Sequence, residues 1–189
     1  MTFIEITLVV SLIAVISLAL YKSLSNGLRV WAKTRELVIE EDIALFFDKF
    51  AQDLRNTYVY STQQFEGDGE RVSFPALVWL PEMNPRESRD EFKEQLGQVE
   101  YALDHGAHAV VRRAANYSSV YLEKFDQEQV MALPVERMQI TYYYLTDDGE
   151  VFSEAVLGTI PAGIELEVFI DDGKGLRSMK RYFNIPLKI

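Results

Sequence analysis

The chain contains no cysteine, which excludes a disulfide framework and thiolate chemistry. Positive charge is also scarce: 19 Lys and Arg against 29 Asp and Glu give a formal net charge of −10. The deficit is uneven, since residues 1–21 carry −1 and residues 22–38 carry +3, leaving −12 for the remainder. A domain this acidic repels phosphate backbones, so nucleic acid is excluded as a ligand class. Histidine occurs only as His105 and His108, either side of Gly106. With no third ligand beside them they read as a hairpin tip and not a metal pair. Asp147, Asp148, Asp171 and Asp172 sit in Gly-containing turns that lack the spaced oxygen ligands of a calcium loop. The GxSxG, HExxH, P-loop and dinucleotide glycine patterns are all missing. No catalytic residue, cofactor or metal is expected, and the chain does not read as an enzyme.

What the N-terminus holds is a run of apolar residues. Residues 6–20 are apolar except for Thr7, Ser11 and Ser17, whose hydroxyls can bond back to a carbonyl one turn earlier. Together with residues 1–4 the run is long enough for a helix of roughly 30 Å, about the thickness of a bilayer core. No Lys or Arg precedes it and no small-x-small site follows it, so it does not read as a cleaved signal peptide. Glu5 lies inside the run. A carboxylate in hydrocarbon is costly unless paired, which marks it as functional and not merely part of an anchor. Its nearest cation is the α-amino group at Met1, on the same chain or on a neighbouring copy.

Residues 22–60 read as a continuation of this helix. Ile39, Ile43, Phe46, Phe50 and Leu54 form one apolar stripe suited to packing on a sheet, with Glu40, Glu41, Asp48, Lys49 and Asp53 assigned to the wet faces. A bend or local melting is expected at residues 25–27, where Gly27 interrupts the helix. From residue 71 the periodicity changes to two. Strands are expected over 71–80 (with Pro75 implying an edge position or an interruption), 98–104, 109–114, 120–125, 135–145, 151–152, 164–170 and 176–185. Residues 81–97, polar and rich in proline, read as a long loop. The division expected is 1–21 as a transmembrane helix, 22–60 as its amphipathic extension, and 61–189 as a β-rich globular domain. This is an α+β chain: a long N-terminal helix, its first half transmembrane and its second half packed on antiparallel sheet.

The order Met1-Thr2-Phe3-Ile4-Glu5 followed by an apolar helix resembles the mature N-terminus of type IV pilin-like proteins, with Met1 standing where Phe is commoner. The hairpin segment VEYALD, the segment VERMQITYYYLTDDGE and the run PAGIELEVFIDD further resemble the J-type minor pseudopilins of type II secretion (the GspJ/PulJ type). The resemblance implies a pilin-like fold and a prepilin peptidase that cuts before Met1 and methylates its amine. It implies that Glu5 pairs with the α-amino group of an adjacent subunit during assembly. It also implies anchorage in the inner membrane with a periplasmic domain, and extraction into the tip of a periplasmic pseudopilus that supports secretion of folded proteins. The partners implied are the I- and K-type minor pseudopilins and the major pseudopilin. A minor pilin of a type IV pilus or DNA-uptake filament is the alternative, and a membrane-anchored periplasmic binding domain a second one. The basic residues Lys22, Arg29, Lys33 and Arg35 after the span would by themselves favour a cytoplasmic domain. A leader with its own basic residues reverses that expectation.

Overall fold

A computed structural model describes residues 2–59, 64–82, 91–122, 124–146, 149–171 and 175–186. It divides into two compact units, Met1–Glu40 and Glu41–Ile189. One helix, α1 (Phe3–Arg55), supplies the whole first unit and the start of the second. It runs unbroken through Gly27, so the local melting expected at residues 25–27 does not occur. The reason is one of magnitude. A lone glycine costs about 1 kcal/mol in a helix, whereas a break orphans up to four N–H and four C=O groups.

The second unit carries two antiparallel sheets. In the first, β1 (Glu66–Gly67), β2 (Arg71–Glu82), β3 (Glu91–Asp104), β4 (Ala109–Asn116) and β5 (Gln127–Ala132) lie side by side in chain order. The second has the order β7-β6-β8-β9, with β6 at Arg137–Thr146, β7 at Gly149–Ser153, β8 at Gly163–Asp171 and β9 at Leu176–Asn184. Alternation holds as the sequence predicts: Met138, Ile140, Tyr142 and Tyr144 of β6, and Ile164, Leu166, Val168 and Ile170 of β8, are all buried. The fold is α+β, with the later turns of α1 packed on antiparallel sheet.

The core is built around that packing. Ile43, Phe46, Phe50 and Leu54 are buried on one helical stripe. The Phe50 ring meets Tyr101 of β3 edge-on at 4.9 Å and Phe183 of β9 at 5.0 Å, so this stretch of helix touches both sheets. Phe74 of β2 closes the cluster, 6.2 Å from Phe50. The sheets are also joined directly: the Tyr142 hydroxyl of β6 points at the carbonyls of Asp68 and Arg71, at 3.0 and 3.2 Å.

Two sequence expectations give way. Among the described residues of 120–125 no strand forms. A short helix, α2 (Tyr117–Tyr121), takes residues 120 and 121 instead, capped by Asn116, whose side chain accepts from the Ser119 amide at 2.9 Å. Asp126 then accepts from the Asn116 amide and the Ser119 hydroxyl, and the strand begins only at Gln127. Nor are residues 81–97 a single loop. Pro81 and Glu82 finish β2, and residues 91–97 open β3, paired from Glu82↔Glu91 to Ala76↔Gly97. Their charge masked a strand whose outward face is wet while Val78 and Leu80 of β2 are buried. Residues 83–90 lie outside the described residues.

Pro75 lies within β2, between β1 and β3, and so not on an edge strand, but its nitrogen points away from β3. Its carbonyl accepts from the Tyr58 amide at 3.4 Å and the Leu77 amide donates to Asn56 O at 3.2 Å, so this side of β2 faces the chain leaving α1, not β3. The missing N–H therefore costs the β2–β3 ladder nothing.

Candidate functional site: the exposed N-terminal helix

In the first unit the helix is held by its own backbone and a few side chains. The Thr7 hydroxyl donates to Phe3 O at 2.9 Å and Ser11 to Thr7 O at 2.8 Å, the back-bonding that lets hydroxyl residues sit in an apolar helix. At the N-terminus Thr2 and Glu5 form a reciprocal cap: the Thr2 amide donates to Glu5 Oε2 at 2.8 Å, and the Glu5 amide to Thr2 Oγ1 at 3.4 Å. This is a capping box, and its Thr-x-x-Glu signature was legible in the sequence beside the reading of Glu5 as an acid in lipid. The carboxylate thus caps its own helix. Met1 lies outside the described residues, so no geometry bears on its amine.

The apolar surface of this segment is uncovered. From Phe3 to Leu20 every large aliphatic or aromatic side chain is exposed, and α1 is long and apolar enough to cross a membrane. Monomeric soluble proteins rarely expose so continuous an apolar surface, which marks it as a contact face for lipid or for other helices. Lys22, Arg29, Lys33 and Arg35 follow it, all exposed.

The second unit holds its charge in pairs. Asp53, assigned from sequence to a wet face, is 2% exposed. Its Oδ2 accepts from Arg112 Nε at 2.6 Å and from the Tyr101 hydroxyl at 2.7 Å, while Lys49 Nζ lies 3.3 Å from Oδ1. Burial, and then the Asp53 charge, push the Tyr101 phenol well above the ordinary tyrosine range. Position 53 falls i+7 from Phe46 and i+3 from Phe50, so the stripe itself placed it inside. A second buried acid, Glu100, is gripped by Arg71 at 2.6 Å and Arg113 at 3.1 Å on the other face of the first sheet.

The histidines are not brought together. His105 Nε2 lies 2.9 Å from Glu70 and His108 Nδ1 lies 3.1 Å from Glu136. Among the described residues no group of three or more His, Asp or Glu is placed to hold a metal. Asp147, Asp148 and Asp172 lie outside the described residues.

No family model matches the chain, and no curated protein does. Among solved structures, it is similar to a chain in the crystal structure of the GspK-GspI-GspJ complex from the type 2 secretion system of enterotoxigenic Escherichia coli. The match has a TM-score of 0.50 at 15% identity and covers 77% of this chain and 96% of that one. At that identity the likeness speaks for the fold alone: a long N-terminal helix on antiparallel sheets, in the manner of a pseudopilin.

Proposed function

We propose that this chain is a minor pseudopilin of a type II secretion system, of the J type. It is a structural subunit and not an enzyme. A prepilin peptidase cuts ahead of Met1 and methylates its amine; residues 1–21 then anchor the chain in the inner membrane, with residues 22–60 and the β-rich 61–189 on the periplasmic side. From there it is drawn into the tip of the pseudopilus beside I- and K-type minor pseudopilins and the major pseudopilin. The observation that carries the reading is an uncovered apolar helix that bears one acid, Glu5, near its start. The pseudopilin-like fold supports it.

In assembly Glu5 meets the α-ammonium of a neighbouring subunit, a desolvated pair that sets the axial offset between helices. The capping geometry sharpens the test. Glu5→Gln keeps a side chain able to close the capping box but removes the charge, whereas Glu5→Ala removes both. Both variants are expected to reach the membrane and to lose co-purification with the I- and K-type partners. Normal co-assembly of Glu5→Gln would show that the acid is only a cap.

A further inference from the structure

In the first sheet β3 outruns its neighbour. β4 ends at Asn116, paired with Gly97, while β2 and β3 continue together from Ala76↔Gly97 to Glu82↔Glu91. Over residues 91–95 β3 therefore lies beside β2 on one flank and, among the described residues, beside no strand on the other. α2 touches both β3 and β4 and bounds this notch at the Asn116 end.

The register fixes which backbone groups are left over. Residues of an antiparallel strand aim their N–H and C=O alternately at one neighbour and at the other. The Pro75 carbonyl and the Leu77 N–H turn away from β3, toward Tyr58 and Asn56. The even-numbered residues of β2 are then the ones bonded to β3, together with their partners Glu91, Lys93 and Gln95. Phe92 and Glu94 are left with both N–H and C=O aimed into the notch, two donors and two acceptors without a backbone partner among the described residues. Such a row is a template for one more strand.

The side chains say what kind of strand. Phe92, Glu94 and Leu96 share a face with Leu77, Trp79 and Pro81, through the pairs Leu77↔Leu96, Trp79↔Glu94 and Pro81↔Phe92. Trp79, Phe92 and Leu96 are between 49% and 62% exposed, an apolar face that extends to the free edge. Glu94 is the one acid in this row, exposed and without an ion pair among the described residues. A second copy of the chain fits poorly. Antiparallel self-pairing here sets either Glu94 opposite Glu94 or Lys93 opposite Lys93, and like charges directly opposite are destabilising.

We propose that residues 92–94 of β3 take up an extended segment of a partner polypeptide as an added antiparallel strand, with a cationic side chain opposite Glu94 and an apolar one opposite Phe92. Every residue involved lies in the second unit, so the claim does not depend on helix assembly.

The test follows amide hydrogen exchange in the full ¹⁵N-labelled chain in zwitterionic micelles. Without ligand, the Phe92 and Glu94 amides should exchange fast and those of Lys93 and Gln95, bonded to β2, slowly. A capped Thr-Lys-Thr-Val-Thr peptide should bind saturably and slow exchange at Phe92 and Glu94. The same peptide N-methylated at its Lys and Val nitrogens should not bind, and one with Glu in place of Lys should bind about three- to tenfold more weakly. Glu94→Lys, an exposed change, should invert the preference between the Lys and Glu peptides. Slow exchange at Phe92 and Glu94 in the dilute, peptide-free chain would show that the edge is already covered; protection that grows with protein concentration would assign it to a second copy. Either result, equal binding of the N-methylated peptide, or an unchanged preference in Glu94→Lys would overturn the proposal.

Discussion

Asp53 and Arg112, fifty-nine residues apart in sequence, meet at 2.6 Å with both side chains almost fully buried. One stands on α1 and the other on β4, so the contact fastens the helix to the first sheet by charge as well as by rings. Breaking such a pair strands a buried charge. Asp53→Asn or Arg112→Met alone should each cost about 3–5 kcal/mol, read as a fall in the denaturation midpoint. The double variant Asp53→Leu with Arg112→Met should recover most of the loss. A double variant as unstable as either single one would mean that the pair's charge is not what matters.

Alkaline pH should weaken the second unit. Tyr101 and Tyr142 both titrate above the ordinary tyrosine value, chiefly through burial, with Asp53 adding to the rise at Tyr101 and Asp68 at Tyr142. Below about pH 10 both states hold these protons and the contribution to stability is complete. Above it the unfolded chain loses protons that the native state keeps, so stability falls as pH rises, by up to about 1.4 kcal/mol per pH unit for each phenol. Thermal melts between pH 9 and 11.5 should show this slope. Combining Tyr101→Phe with Tyr142→Phe should flatten it; an unchanged slope in that variant would place the cause elsewhere.

The Phe50 ring is the hinge of the core. Truncation to Ala removes its contacts with Tyr101, Phe74 and Phe183 at once and should cost about 3–5 kcal/mol. Leu45, exposed on the same helix, should tolerate Ala within about 0.5 kcal/mol. Comparable losses at the two positions would contradict the packing described.

Gly97 is needed for its size. A Cβ there would lie 2.1 Å from the Ala115 carbonyl oxygen and 2.7 Å from Val78 Cγ2. The first obstacle is backbone on β4 and cannot swing away. Gly97→Ala should therefore destabilise by about 1–3 kcal/mol, measured by denaturant titration. Gly27→Ala, with open space around it, should leave the helix intact or strengthen it.

Periodicity made the helix and most strands legible, because apolar spacing is a direct image of which side is buried. It failed where burial depended on partners far along the chain. Arg112 is buried only because the β3–β4 register sets it opposite Tyr101, and no local pattern announces that. Residues 91–97 hid as a loop because their inward neighbours come from β2. Residues 120–125 looked extended because their β-branched and aromatic content outweighed the Asn116 cap. At the N-terminus the residues of the helix are plain in the sequence, where Glu5 reads as an acid in lipid in need of an α-amino partner, and the structure gives it Thr2.

Pro75 has a further effect. An imino acid in the flank of β2 denies any foreign strand a continuous run of donors, and residues 56–58 already occupy that flank. Along residues 75–77 the first sheet is therefore closed to recruitment of another chain on this side.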